Sequence, residues 1–84
     1  MLGRHVYRVR PHERGGWRIE KEGDDKTRIR RASQRDAVSA ADQLARADEP
    51  SRVVVENEEG AIVDERLYGS DDADVIEDQT KLGE

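Results

Sequence analysis

One stretch of this chain has the length and periodicity of a helix, and it limits what everything around it can form. Residues 33–46 place Ala37, Val38, Ala41, Leu44 and Ala45 at i, i+1, i+4, i+7 and i+8, the apolar stripe of an amphipathic helix. Ser33 stands at the N-cap, where its hydroxyl can accept from the N–H of Asp36 while Asp36 reaches back, a capping box with Asp in place of Glu. Alanines at 37, 40, 41 and 45 favour helix, and the three on the stripe are small enough to let it lie close to a sheet. Asp48-Glu49-Pro50 ends it, because proline disfavours helix in the residue before it. Every other apolar segment is short and reads as strand. One helix and several short strands make a small α+β domain, with the helix closing one sheet face.

The strands follow from alternation. Residues 5–10 set Tyr7 and Val9 on one face against Arg8 and Arg10 on the other, and Pro11 ends the run. Gly15-Gly16 turns the chain into residues 17–22, where Trp17 and Ile19 face in and Arg18 and Glu20 face out, so the two strands read as an antiparallel hairpin. Trp17, the sole tryptophan, is the largest candidate for the core. Gly23-Asp24-Asp25 signals a turn before a short third strand over 27–31, with Ile29 its one core candidate. Residues 52–56 form the clearest strand. The consecutive Val53, Val54 and Val55 imply that both of its faces are at least partly covered. A turn ending at Gly60 leads to the last strand, residues 61–68. There Ile62 and Tyr68 fall on one face and Val63 and Leu67 on the other, which a bulge or a covered second face would reconcile. The expected architecture is a small antiparallel sheet, β-β-[short β]-α-β-β, with the helix packed on one face.

Size and charge bound the rest. Eighty-four residues allow one domain, over 1–69, followed by a tail over 70–84 whose six acidic residues and missing periodicity predict disorder. With 33% hydrophobic residues, 42% charged and no cysteine, the core is thin and unstapled, and gaining area by oligomerising is one remedy. The net charge of −5 hides an asymmetry: residues 1–31 carry ten Lys/Arg against five Asp/Glu, and residues 32–84 carry five against fifteen. The reading preferred here is that the two halves neutralise one another in the fold. A basic binding face with an acidic tail, and adaptation to high salt, are the other readings. No apolar run approaches the roughly 18 residues of a membrane span, and the N-terminus has no signal-peptide core, so a cytoplasmic location and no membrane partner are expected.

The order Tyr7-x-Val9-x-Pro11, Gly15-Gly16-Trp17, a capped Ala-rich helix, then Gly60-x-Ile62 running into Tyr68-Gly69, resembles the small prokaryotic domain of unknown function 2188 family over about residues 5–70. The resemblance implies a β-β-α-β-β arrangement and no activity, so no functional residue carries over. Family members often follow the Tyr-Gly with an acidic residue and proline. Here Tyr68-Gly69-Ser70-Asp71 lacks that proline.

The chemistry in the sequence is sparse. Gly15-Gly16 and Gly23 sit in hairpin turns rather than between a strand and a helix, so no phosphate-cradling loop is expected. No serine has a base at recognisable spacing. His5, His12 and Glu13 make an incomplete metal-ligand set. The chain is therefore expected to be no enzyme and to use no cofactor. Two function classes remain. The first is a protein-interaction or self-association module, with Val53, Val54 and Val55 as contact residues and a homo-oligomer or a protein partner as the outcome. The second is nucleic-acid binding through Arg8, Arg10, Arg18, Arg28, Arg30 and Arg31, with the acidic tail as an internal competitor. The first is preferred, because the chain is acidic overall and the aromatics of the arginine-bearing strands, Tyr7 and Trp17, face the core rather than standing spare to stack on bases.

Overall fold

A computed structural model of the chain describes residues 4–69. In it β1 is His5–Pro11, β2 Trp17–Lys21, β3 Asp24–Arg31, α1 Gln34–Arg46, β4 Ser51–Glu56 and β5 Ile62–Tyr68. These form an α+β fold with one five-stranded sheet in the order β3-β2-β1-β4-β5. The β1–β2, β2–β3 and β4–β5 pairs are antiparallel, as the turn residues imply. The β1–β4 pair is parallel, with Tyr7 opposite Val53 and Val9 opposite Val55. The sheet is therefore mixed, which corrects the expected antiparallel one. The cause is the crossover: β3 runs in the direction of β1, α1 carries the chain back across one face, and β4 enters on the far side of β1 in that same direction.

The core lies between that face and the helix. Tyr7, Val9, Ile19, Val53 and Val55 are buried beneath Ala37, Ala41 and Ala45, with Trp17, Ile29, Val38, Leu44 and Tyr68 packed around them. The buried line of α1 is thus alanine at i, i+4 and i+8. Leu44 flanks this line and is only partly buried. Both helix ends are tied down. Ser33 Oγ accepts from the Asp36 N–H at 3.1 Å, as its position predicts. At the other end the buried Ser51 hydroxyl donates to the Ala45 carbonyl at 2.6 Å, and the Tyr7 hydroxyl donates to Asp48 Oδ2 at 2.7 Å.

Two strands differ from their sequence reading for local reasons. β3 begins at Asp24 rather than at residue 27: Asp24 pairs with Lys21 and Arg28 with Glu20, so the residues between them bulge out. Asp24 holds this bulge by accepting from the Lys26 N–H and the Thr27 hydroxyl, both at 2.9 Å. In β5, Asp64 lies opposite Val55 and Ile62 opposite Glu56, leaving Val63 as an extra residue. That bulge moves Ile62 to the open face beside Leu67, while Tyr68 and Val63 lie toward the helix side, so apolar residues still fall on both faces of the strand. The Gly-Gly-Trp turn also has a steric basis. Gly16 has φ +77°, and a Cβ there would come within 2.7 Å of the Arg31 carbonyl oxygen. The acidic stretch 70–84, expected to be disordered, lies outside the described residues. Among the described residues no helix is long and apolar enough to cross a membrane.

Candidate functional site: an arginine-lined sheet face and an edge strand

The helix covers one side of the sheet, and cross-strand partners point to the same side. Arg8, Arg10 and Arg18 therefore share the other face, as alternation predicts. Arg30 joins them opposite Arg18, and Arg28 opposite Glu20. Arg31 lies opposite Trp17 and so belongs to the helix side.

This face holds its own counterions. Arg8 donates from Nε to Glu22 at 2.7 Å and from a terminal nitrogen to Glu56 at 3.0 Å. Arg10 donates to Glu56 at 3.2 Å and to Glu20 at 3.3 Å. Glu56, whose side chain is only 8% exposed, lies between the two guanidiniums. Burial works against the Arg10 charge, but the bonds to Glu20 and Glu56 outweigh it and hold its pKa above the ordinary value. Arg18 Nε lies 3.2 Å from Glu20 without directing its N–H at it. Val54 is on this face too, yet it is 2% exposed. Its ladder partners are Arg8 and Glu65, whose long stems can lie over it.

The other three arginines are placed differently. Arg28 donates to the Asp25 carbonyl, Arg30 to those of Arg14 and Gly15, and Arg31 to that of Arg30. None of the three pairs with a carboxylate among the described residues. Arg18, Glu20, Arg28 and Arg30, with His12, line an open groove of about 390 Å³ between β2 and β3. The six arginines thus divide into three engaged by Glu20, Glu22 and Glu56 and three bonded to backbone carbonyls.

The three valines proposed for self-association lie inside the fold. β4 sits between β1 and β5, Val53 and Val55 are beneath the helix, and Val54 is covered on the opposite face. They offer no surface to a partner. Among the described residues the exposed large hydrophobics are Ile62 at 61%, Val63 at 56% and Leu67 at 54%, all on the edge strand β5. Asp42 of α1 reaches Arg66 of β5, but around that bridge an open cleft of about 520 Å³ lies between Gln34 and Val38 of α1 and Val63 and Asp64 of β5. The sequence signal for this surface was the ambiguous facing of residues 61–68. A strand that is exposed from Ile62 to Leu67, with only Tyr68 packed on the core, has little reason to alternate.

Charges at the middle of β5 are paired within the chain. Arg66 bridges Asp42 and Asp64, and Asp42 above all raises its pKa. Arg52 holds Glu65 at 3.0 Å. The Glu65 N–H donates to Asp64 Oδ1 at 2.8 Å, so it points away from the β4 ladder.

The histidines lie apart, at opposite ends of β1. His5 lies 3.6 Å from Asp48, and His12 Nδ1 accepts from the Arg14 N–H at 3.0 Å. No group of three or more metal-ligating side chains forms among the described residues. Asp48 also meets Lys21 at 2.8 Å, and the bonds from Lys21 and Tyr7 hold its pKa below the ordinary carboxylate value.

The family described as an uncharacterized protein conserved in bacteria (DUF2188) matches residues 7–68, which run from the buried Tyr7 to Tyr68 at the end of β5. No curated protein and no solved structure matches the chain.

Proposed function

We propose for this chain, which belongs to the DUF2188 family and takes no assigned activity from it, a non-enzymatic role as a protein-interaction module whose contact strand is β5. The observation that carries this reading is the concentration of exposed Ile62, Val63 and Leu67 on one edge strand that the helix does not cover. An edge strand presents unpaired backbone N–H and C=O groups, which a second strand satisfies by extending the sheet. Apolar side chains beside that edge add burial to the new ladder. The contact residues are thus those of β5 rather than the three valines of β4.

A second reading, nucleic-acid binding, draws on Arg28, Arg30 and Arg31, whose partners among the described residues are backbone carbonyls. Against it, Arg8, Arg10 and Arg18 spend their charge on Glu20, Glu22 and Glu56. One pair of experiments separates the readings. The solution mass of the full chain is measured at low and high salt, and labelled oligonucleotides are titrated at low salt. The module reading expects association that persists at high salt, where repulsion between acidic chains is screened and apolar burial survives. It expects no specific oligonucleotide binding. Tight binding that weakens steeply with salt would favour the arginines instead.

A further inference from the structure

We infer that the strand β5 pairs with is the β5 of a second copy, antiparallel and centred on Glu65, so that two sheets join into one across a two-fold axis. The inference rests on β5 being the contact strand and goes beyond it by fixing partner and register. Opposed residues in an antiparallel pair point to the same face, so the two-fold axis must pass through a residue. Centring on Glu65 places Asp64 of each copy opposite Arg66 of the other on the helix side, so the Asp64–Arg66 pair that each chain makes within itself can be exchanged for two pairs across the axis. The bulge makes Ile62 the next rung after Asp64, since Ile62 lies opposite Glu56 and Asp64 opposite Val55. On the open side Leu67 of each copy therefore meets Ile62 of the other, joining side chains that are 54% and 61% exposed in the single chain. The two Glu65 carboxylates meet at the axis, each already held by its own Arg52 at 3.0 Å.

Neighbouring registers fail on the same chemistry. Centring on Arg66 sets guanidinium against guanidinium and Glu65 against Leu67. Centring on Asp64 sets carboxylate against carboxylate and Ile62 against Glu65. Each of the three registers opposes one pair of like charges at its centre, which is destabilising, but the Glu65 register offsets it with two opposite-charge pairs and two apolar pairs, whereas in the other two a charge opposite an aliphatic side chain loses hydration without gaining a partner. The backbone also suits the Glu65 centre. The Glu65 N–H points outward, where it now bonds Asp64, and can instead meet the Glu65 carbonyl of the second copy.

The test uses the full chain and two double variants at exposed positions, whose folding is checked by circular dichroism. Ile62→Lys with Leu67→Lys sets lysine against lysine across the proposed pair. Ile62→Lys with Leu67→Glu sets lysine against glutamate there. In sedimentation, the natural chain is expected to run at twice its single-chain mass. The double-lysine variant is expected to dissociate, with its dimer constant raised roughly tenfold or more. The lysine–glutamate variant is expected to regain the two-chain mass at low salt and lose it as salt rises. A natural chain of single-chain mass overturns the inference. A double-lysine variant that stays dimeric overturns both the inference and β5 as contact strand. If both variants are monomeric, β5 stands as the contact strand and the Glu65 register is overturned.

Discussion

Glu56 shows what a single residue does that its neighbours in sequence do not announce. Alternation alone places Arg8, Arg10 and Arg18 on one face. Their partners depend on the parallel β1–β4 register, which brings Glu56 beside two guanidiniums from β1, and no local pattern encodes that register. Replacing Glu56 by Gln leaves both arginines without their shared anion. Each guanidinium is 30–40% exposed and can rehydrate, so the loss is below that of a fully buried pair. It is expected to be about 1–3 kcal/mol by chemical denaturation, and unchanged stability would show that the buried carboxylate contributes nothing net. Gly16 is a second such residue. A Cβ there meets the Arg31 carbonyl in a backbone conformation that L-residues avoid. Gly16→Ala is expected to cost more than about 1 kcal/mol, and a denaturation midpoint equal to that of the natural chain would contradict the close approach.

Among the elements, α1 was the most legible. Its start, cap and apolar face follow from 3.6-residue periodicity, but the centre line of that face does not. Leu44, the largest side chain on the stripe, is a flank, and the seat on the sheet is Ala37, Ala41 and Ala45. Small residues set the spacing between layers, and only packing reveals which residues are innermost. The consequence is an inverted pair of mutations. Leu44→Ala removes a partly buried side chain and is expected to cost about 1–2 kcal/mol, below the range for a fully buried leucine. Ala41→Leu forces added volume into the helix–sheet contact and is expected to cost about 1–3 kcal/mol or more. Melting temperatures of the two variants check the order, and an Ala41→Leu chain as stable as the natural one would place the helix further from the sheet. The strands were legible as strands, while their pairing was not. A parallel neighbour reached through a crossover leaves no trace in alternation, and the rank of β4 as interior and β5 as edge is a property of the assembled sheet.

At the scale of the whole molecule, charge decides how stability responds to acid. Asp48 and Asp24 have pKa values held below those of free carboxylates, Asp48 chiefly by Lys21 and Asp24 chiefly by the Lys26 N–H. A carboxylate depressed in the fold stabilises it fully above its unfolded pKa of about 3.9 and loses that contribution as pH falls through the folded value. Asp48→Asn is therefore expected to lower the melting temperature at neutral pH, and the gap should close toward about pH 2. A gap constant across this range would mean that Asp48 acts through shape alone. The larger claim is that the domain is finished by pairing its bare strand with another copy. The most direct measurement is hydrogen exchange at the Glu65 and Leu67 amides of β5 over a range of protein concentrations. Protection that rises with concentration at these two amides, while the buried β1 and β4 amides stay slow throughout, is the predicted result. Fast exchange at Glu65 and Leu67 at every concentration would contradict it.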